Sequence, residues 1–286
     1  MTASLHDQPS QSRVTAASNP VDMVCIDVDG TLVGSAGLVH ASVWPAVSAA
    51  RDAGLRLVLC SGRPAFGLAR SYAERLDSAG WHSFQNGGCV INLAHGTSRS
   101  SYLSTDTVRA LITQARSTNR VLELYADTTY SVESRSRFAK AHAQLLGVPF
   151  ATRAFESLEG AVVRAQWLLP HDEAEAMLKS APNGLEVALS TSPMMPDTTF
   201  VGMTRAGVTK ATAVRVIANE YAVPLERVMF VGDGGNDVSA LQLVGLPVAM
   251  RNAEPSALAS ARIIVADVDR GGLAEALALA VTLHGS

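Results

Sequence analysis

Two aspartates separated by a single valine, Asp27 and Asp29, follow the apolar run Met23–Ile26 and lead into Gly30-Thr31. In an extended chain, side chains two apart point the same way, so the two carboxylates would share one face at the C-terminal end of a strand. That is where open α/β sheets bind their ligands. Two close acids disfavour joint ionisation. A divalent cation, or a division of labour between a nucleophile and an acid, relieves that strain. A solvated turn, with Asp29-Gly30 ending a strand, is the plainer alternative. Three more polar clusters fall at strand ends or helix starts: Ser61-Gly62-Arg63-Pro64, Val208-Thr209-Lys210 and Gly232-Asp233-Gly234-Gly235-Asn236-Asp237. Taken singly, Ser61 could be an N-cap, Arg63 and Lys210 solvated surface cations, and the glycine-rich loop a turn. Their joint pattern is what points to a site.

Strand–loop–helix units carry these groups. After the first strand, residues 41–53 predict a helix closed by Gly54, with Pro45 tolerated near its first turn. Residues 55–60 predict a strand, and Pro64 to Asp77 a helix that Pro64 begins. The same texture resumes late in the chain: helix 211–221, strand 227–231, helix 238–244, short strands 246–250 and 263–265, and a closing helix 273–283. Between them the pattern is mixed. Residues 89–93 and 100–103 predict a hairpin around His95-Gly96; residues 105–117, 136–146 and 171–181 predict helices; residues 121–125, 165–169 and 185–190 predict strands. This is a discontinuous α/β core with a parallel sheet, residues 21–87 and 198–286, interrupted by a guest domain over 88–197. Residues 1–20, rich in Ser, Thr, Ala, Asn and Gln, predict a disordered tail.

Composition narrows the partners. Of 286 residues, 48% are hydrophobic and 17% charged, with a net charge of -3. That gives no electrostatic reason to expect nucleic acid or an anionic membrane. No basic start leads into an apolar signal segment, and no run is long enough to span a bilayer, so the cytoplasm is the default expectation. Cys25, Cys60 and Cys89 form no CxxC pair, and their odd number argues against a disulfide framework; buried small hydrophobes are expected. The seven histidines show no ligand spacing and read as structural or solvated. Oligomeric state is left open.

Asp27-Val-Asp29-Gly-Thr-Leu, Ser61-Gly-Arg63-Pro, Gly207-Val-Thr-Lys210, Gly232-Asp-Gly-Gly-Asn-Asp237 and Ala249-Met-Arg-Asn-Ala-Glu-Pro255 together resemble the haloacid dehalogenase superfamily, in its Cof-type sugar phosphatase branch. The likeness runs from about residue 21 to 283. It implies a doubly wound Rossmann-like core with an inserted, mobile α/β cap. It implies hydrolysis of a small-molecule phosphate monoester, with Asp27 as nucleophile forming an aspartyl-phosphate and Asp29 as general acid and then base. It also implies Mg²⁺ held by Asp27, the Asp29 backbone carbonyl and Asp233, with Asp237 supporting it directly or from behind. Ser61, with Gly62 in the same loop, and Lys210 would bind phosphoryl oxygens, and Asn236 the phosphate or substrate. Ser61 stands where threonine is commoner, and Asn86-Gly87-Gly88 where an alanine usually ends the motif; no catalytic group is missing.

The physics agrees. Phosphoryl transfer is mostly positioning and electrostatic stabilisation, and a hard cation wants oxygen ligands. At ~4 Å and an effective dielectric of ~20, each unit charge pair is worth about 4 kcal/mol, so a phosphate dianion cannot approach bare carboxylates. A phosphomutase on the same scaffold, or a non-catalytic sensor of a phosphometabolite, are the rival readings. Glu123, Tyr125, Arg135, Arg164 and Trp167 are polar or aromatic cap residues that could face the site; cap surface or cap core is the more economical placement of each.

Overall fold

The computed structural model describes residues 20–179, 183–192 and 194–284, so the expected tail lies outside the described residues except for Pro20. The core sheet begins with β1 (Met23–Ile26), followed by α1 (Val43–Asp52), β2 (Arg56–Leu59) and α2 (Gly67–Asp77). A hairpin of β3 (Trp81–Phe84) and β4 (Cys89–Asn92) leads into the guest domain. That domain holds α3 (Thr105–Thr118), β5 (Val121–Tyr125), β6 (Tyr130–Val132), α4 (Arg137–Leu146), β7 (Arg164–Leu169), α5 (His171–Lys179), β8 (Leu185–Ser192) and β9 (Met195–Arg205). The core resumes with α6 (Lys210–Glu220), β10 (Val228–Gly232), α7 (Val238–Leu241), β11 (Leu246–Met250), α8 (Pro255–Ser260), β12 (Ile263–Val265) and α9 (Gly272–His284).

The core is a five-stranded, all-parallel sheet in the order β12-β11-β10-β1-β2. Its strands are apolar, apart from the exposed Arg56 that opens β2, because both faces are covered. Val24, Ile26, Leu57, Leu59, Met229 and Val231 pack with α1, α2 and α9, while Met23, Cys25, Val58, Val228 and Phe230 pack with α6, α7 and α8. This is the expected doubly wound Rossmann-like architecture. From β1 the chain moves one way to β2, and after the cap it returns to the other side of β1 at β10. The β1/β10 boundary is therefore the topological switch point, where the crevice of such a sheet opens.

The cap is a five-stranded antiparallel sheet, β6-β5-β7-β9-β8. One face, with Trp167 and Leu122, buries against α3 and α5. The other face is partly covered by α4, through Leu168, Phe200 and Ala139, and its remainder looks toward the core.

Several expectations are corrected. Residues 100–103 form no strand, and the strand partner of β4 is β3; the chain returns beside β4 only briefly, through the Ile91–Ser98 bridge and the backbone bonds from Arg99 N to Val90 O at 2.8 Å and from Ser101 N to Gly88 O at 2.9 Å. The Ser100 hydroxyl accepts from the Val90 amide at 3.2 Å where a strand carbonyl would otherwise stand. Pro64 does not start α2: the chain stays non-helical to Phe66, and Gly67, at φ +59°, lies so close to the Leu146 carbonyl that no Cβ would fit. The junction expected at 197/198 falls inside β9, which pairs with β7 and β8 as far as Arg205. The expected helix 171–181 is described to Lys179; residues 180 and 181 lie outside the described residues. All three cysteines are free and buried, as expected. No helix among the described residues is long and apolar enough to cross a membrane.

Ser83 on β3 bridges in parallel to Cys60, so the hairpin extends the β2 edge. His82 completes that junction: its Nδ1 accepts from the Leu59 amide at 3.0 Å, and Nε2–H donates to the Asp77 carbonyl at 2.8 Å. Burial pushes its pKa down to about 4. The unfolded chain, with an ordinary histidine near 6.5, binds the proton more readily, so this histidine contributes stability that is present above pH 6.5 and lost as pH falls toward 4. Between pH 7 and pH 5 the loss is about 2 kcal/mol. Urea unfolding at the two pH values should show that drop, and His82→Gln should remove about that much of the difference.

Candidate active site

Lys210, the first residue of α6, sends its ammonium under the switch point and is wholly buried. Nζ donates to Asp27 Oδ1 at 2.5 Å and to Asp237 Oδ1 at 2.6 Å. The Thr209 hydroxyl caps α6 and fixes where that lysine starts. Asp237 Oδ2 accepts from the Asp233 and Gly234 amides at 3.0 and 2.9 Å, so both of its oxygens are committed to holding the loop after β10 and the lysine. Burial alone would lower the Lys210 pKa, but the charges of Asp237 and Asp27 outweigh it and raise it.

Asp233 stands beside the pair, its Oδ1 accepting from the Thr31 hydroxyl at 2.8 Å. Gly30 makes this approach possible: it sits at φ +85°, and a Cβ there would collide with the Asp233 carboxylate. One carboxylate oxygen from each of Asp27, Asp233 and Asp237 lies within 4.8 Å of the other two. Three carboxylates against one ammonium leave an excess of two negative charges if all are ionised. Burial, then the Asp237 charge, pushes the Asp27 carboxyl well above the usual range against the pull of Lys210. Burial likewise raises Asp233 to about 7. Asp27 Oδ2 and Asp233 Oδ2 carry no hydrogen bond among the described residues. A hard divalent cation matches both the surplus charge and the all-oxygen donors, so the residues present fit Mg²⁺.

The other expected residues are placed around this centre. Asp29 is more than half exposed and does not join the acidic cluster; Arg63 grips both its oxygens, Nε to Oδ2 at 2.9 Å and Nη2 to Oδ1 at 2.5 Å. Its backbone carbonyl accepts no hydrogen bond among the described residues. The Ser61 hydroxyl is buried and accepts from the Arg63 amide at 3.0 Å, while Gly62 lines the cleft. Asn236 Nδ2 donates to Asn86 Oδ1 at 2.9 Å. Arg63 is thus the partner of the expected acid, although its residue type alone left it indistinguishable from a surface arginine. Asn252 was not singled out: Nδ2 donates to the Gly30 carbonyl at 2.8 Å and Oδ1 accepts from the Val268 amide at 2.9 Å, tying the turn after Asp29 to the C-terminal segment. Its only signal was its place in the Ala249–Pro255 motif.

These groups open into a cavity of about 900 Å³ between core and cap. Asp27, Asp29, Arg63 and Asn236 line its core side, and His142, Arg164 and Gln166 its cap side. Of the cap candidates, Arg164 reaches the cavity, Glu123 and Tyr125 are buried behind it, Trp167 packs in the opposite apolar cluster, and Arg135 borders a separate shallow pocket.

A parallel sheet with acids, an amine and a covering cap at its switch point defines a class of hydrolases, and sequence comparison agrees. The family model for haloacid dehalogenase-like hydrolases matches residues 24–277. The chain belongs to that family. It is 24% identical over 261 residues to the 5-amino-6-(5-phospho-D-ribitylamino)uracil phosphatase YcsE of Bacillus subtilis, covering 90% of this chain and 94% of that one. The solved structure of the phosphatase BT1666 of Bacteroides thetaiotaomicron superposes with a TM-score of 0.76 at 23% identity, covering 96% of this chain and 100% of that one. The sugar phosphatase BT4131, of subclass IIB of the same superfamily, gives 0.76 at 24% identity over 91% and 98%.

Removing the lysine side chain's charge would leave two buried carboxylates facing each other. Lys210→Met should destabilise the fold by about 3–5 kcal/mol in urea unfolding. Adding Asp237→Asn to that variant should recover part of the loss, because one uncompensated charge goes with it.

Proposed function

We propose that the protein is a Mg²⁺-dependent phosphatase that hydrolyses small phosphate monoesters through an aspartyl-phosphate on Asp27. The observation that carries this reading is the buried Asp27–Lys210–Asp237 arrangement with Asp233 beside it, opening at the switch point into a covered cavity. Asp27 and Asp233, with the Asp29 carbonyl, would hold Mg²⁺, which when bound masks the charge of the incoming phosphate dianion and polarises its oxygens.

Lys210 holds Asp27 Oδ1, so the carboxylate is fixed in orientation and Oδ2 is left to attack phosphorus. A bond forms between Asp27 and phosphorus as the bond to the leaving oxygen breaks. Asp29 gives that oxygen a proton, then takes one from the water that attacks the aspartyl-phosphate, releasing inorganic phosphate. In the structure Arg63 occupies both Asp29 oxygens, so proton donation requires that ion pair to open as substrate enters. Asp237 positions Lys210 and the loop of Asp233 in place of ligating directly, since both its oxygens are engaged. Ser61, in the loop with Gly62, and Asn236 flank the position of the phosphoryl group.

Asp27→Asn keeps an acceptor for Lys210 and should fold, while phosphate release from p-nitrophenyl phosphate falls by ~10³-fold or more. EDTA should stop turnover by the unaltered protein, and Mg²⁺ should restore it. Persistent activity in Asp27→Asn would remove the proposed nucleophile.

A further inference from the structure

The turn between β3 and β4 is left-handed throughout: Gln85, Asn86 and Gly87 have φ of +56°, +55° and +98°. Such backbone is sparsely populated at non-glycine residues and persists only where the surroundings fix it. Here the fixing comes from three sides. The Gln85 and Asn86 amides donate to the Arg63 and Ser61 carbonyls at 2.9 and 3.0 Å, which zips the turn to the loop after β2. Gln85 Nε2 donates to the Ala126 carbonyl of the cap at 3.0 Å. Gly87 lies against the Thr209 carbonyl, where a Cβ would come within 2.3 Å, so the turn also rests on the residue that caps the helix of Lys210.

The Asn86 side chain makes no hydrogen bond inside the turn. Its Oδ1 accepts from Nδ2 of Asn236, 150 positions later, at 2.9 Å. The same carboxamide lies against Gly62, where a Cβ would meet Oδ1 at 3.1 Å. On its far side Asn236 is confined as well: its Oδ1 lies over Gly234, where a Cβ would come within 2.8 Å. The Asn236 amide is therefore bounded at both ends, oxygen on Gly234 and nitrogen on Asn86. An amide nitrogen carries two hydrogens, and Asn86 takes only one. Gly62, Asn86, Gly234 and Asn236 line the same cavity as Asp27.

We propose that Asn86 is a positioning residue for phosphoryl transfer: it holds the Asn236 carboxamide so that the remaining N–H is aimed at an oxygen of the group transferred to Asp27. This rests on the phosphatase reading above and deepens it. A donor oriented in advance stabilises charge on those oxygens without reorganising at the moment of transfer. An unheld Asn236 side chain would have to give up rotamer freedom each time a phosphate arrived. The backbone does not account for Asn86, because glycine adopts the left-handed conformation at least as readily. What asparagine adds is the carboxamide. Gln85 is bonded to the cap and Asn86 to Asn236, so the aim of this donor is set by the turn on which the cap is seated.

The test measures kcat/KM for p-nitrophenyl phosphate with Mg²⁺, and the inhibition constant of inorganic phosphate, in the parent, Asn86→Gly, Asn236→Ala and the double variant. Asn86→Gly keeps the turn and removes only the side chain. It should lower kcat/KM by about tenfold and weaken inhibition by phosphate to a similar degree, while thermal unfolding stays within a few degrees of the parent. In the Asn236→Ala background the same substitution should change either quantity by less than about twofold, because no carboxamide is left to position. The assignment is overturned, with the phosphatase reading intact, if Asn86→Gly or Asn236→Ala matches the parent. It is overturned equally if Asn86→Gly costs as much with Asn236 removed as with it present, since Asn86 then acts by another route. A parent that releases no phosphate at all sinks the phosphatase reading and this assignment with it.

Discussion

One buried ammonium holds the active centre together. Lys210 is separated from Asp27 by 183 positions and from Asp237 by 27, yet it touches both. Desolvating an ammonium and two carboxylates is expensive, and such groups are seldom the most stable way to fill a core. The arrangement makes sense where charge has to be held in place for chemistry: an ammonium at a fixed position orients Asp27 and leaves one of its oxygens unengaged. The surplus acid around it is the complement of that design. Asp233, raised to about 7 by burial, is a group whose environment wants another positive charge.

The sheet supplies the geometry that this interaction needs. Asp27 follows β1, Asp233 follows β10, and these are neighbouring parallel strands at the boundary where the chain reverses its direction of winding. Two glycines let the acids come close. Gly30 adopts a positive φ against Asp233, and Gly232 lies where a Cβ would press on the Asp237 carboxylate. The turn of Gly30 is closed by local bonds between residues 28 and 33 and anchored from behind by Asn252, so the loop bearing Asp29 is fixed both by its own neighbours and by the C-terminal segment.

Much of this was legible in the chain because it depends on short-range rules. The apolar run before it puts Asp27 at a strand end, continuous apolar runs mark β1 and β10, and glycine-rich polar loops mark where those strands stop; period-two spacing alone did not foresee that Arg63 draws Asp29 away from Asp27. What was illegible depends on tertiary context. The strand β9 is broken in sequence by Pro196 and Gly202, both of which weaken a strand signal. The strand β3 contains His82 and Ser83, polar residues buried against the β2 edge, His82 held by the Leu59 amide and the Asp77 carbonyl and Ser83 bridged to Cys60. In the cap, Trp167 and Gln166 are adjacent, and strand alternation sends one to the apolar cluster and the other to the cavity; composition cannot say which face is which. His142 was unremarkable among seven histidines until α4 placed it on Glu123.

The same context joins the two halves of the site. Gly62 accepts from Arg164 of the cap, and the next residue, Arg63, holds Asp29 of the core. Ser61, immediately before, fixes the Arg63 amide. A single tight turn therefore connects the cap's floor to the acid that faces the cavity. If the cap lifts, the Arg164–Gly62 hydrogen bond is lost, and the turn that orients Arg63 loses one of its supports. With the cap seated, the turn is held from both sides and Asp29 is presented at the cavity mouth. The position of the cap and the aim of Asp29 are thus set by one run of three residues, which gives occupancy of the cap face a physical route to the chemistry beneath it.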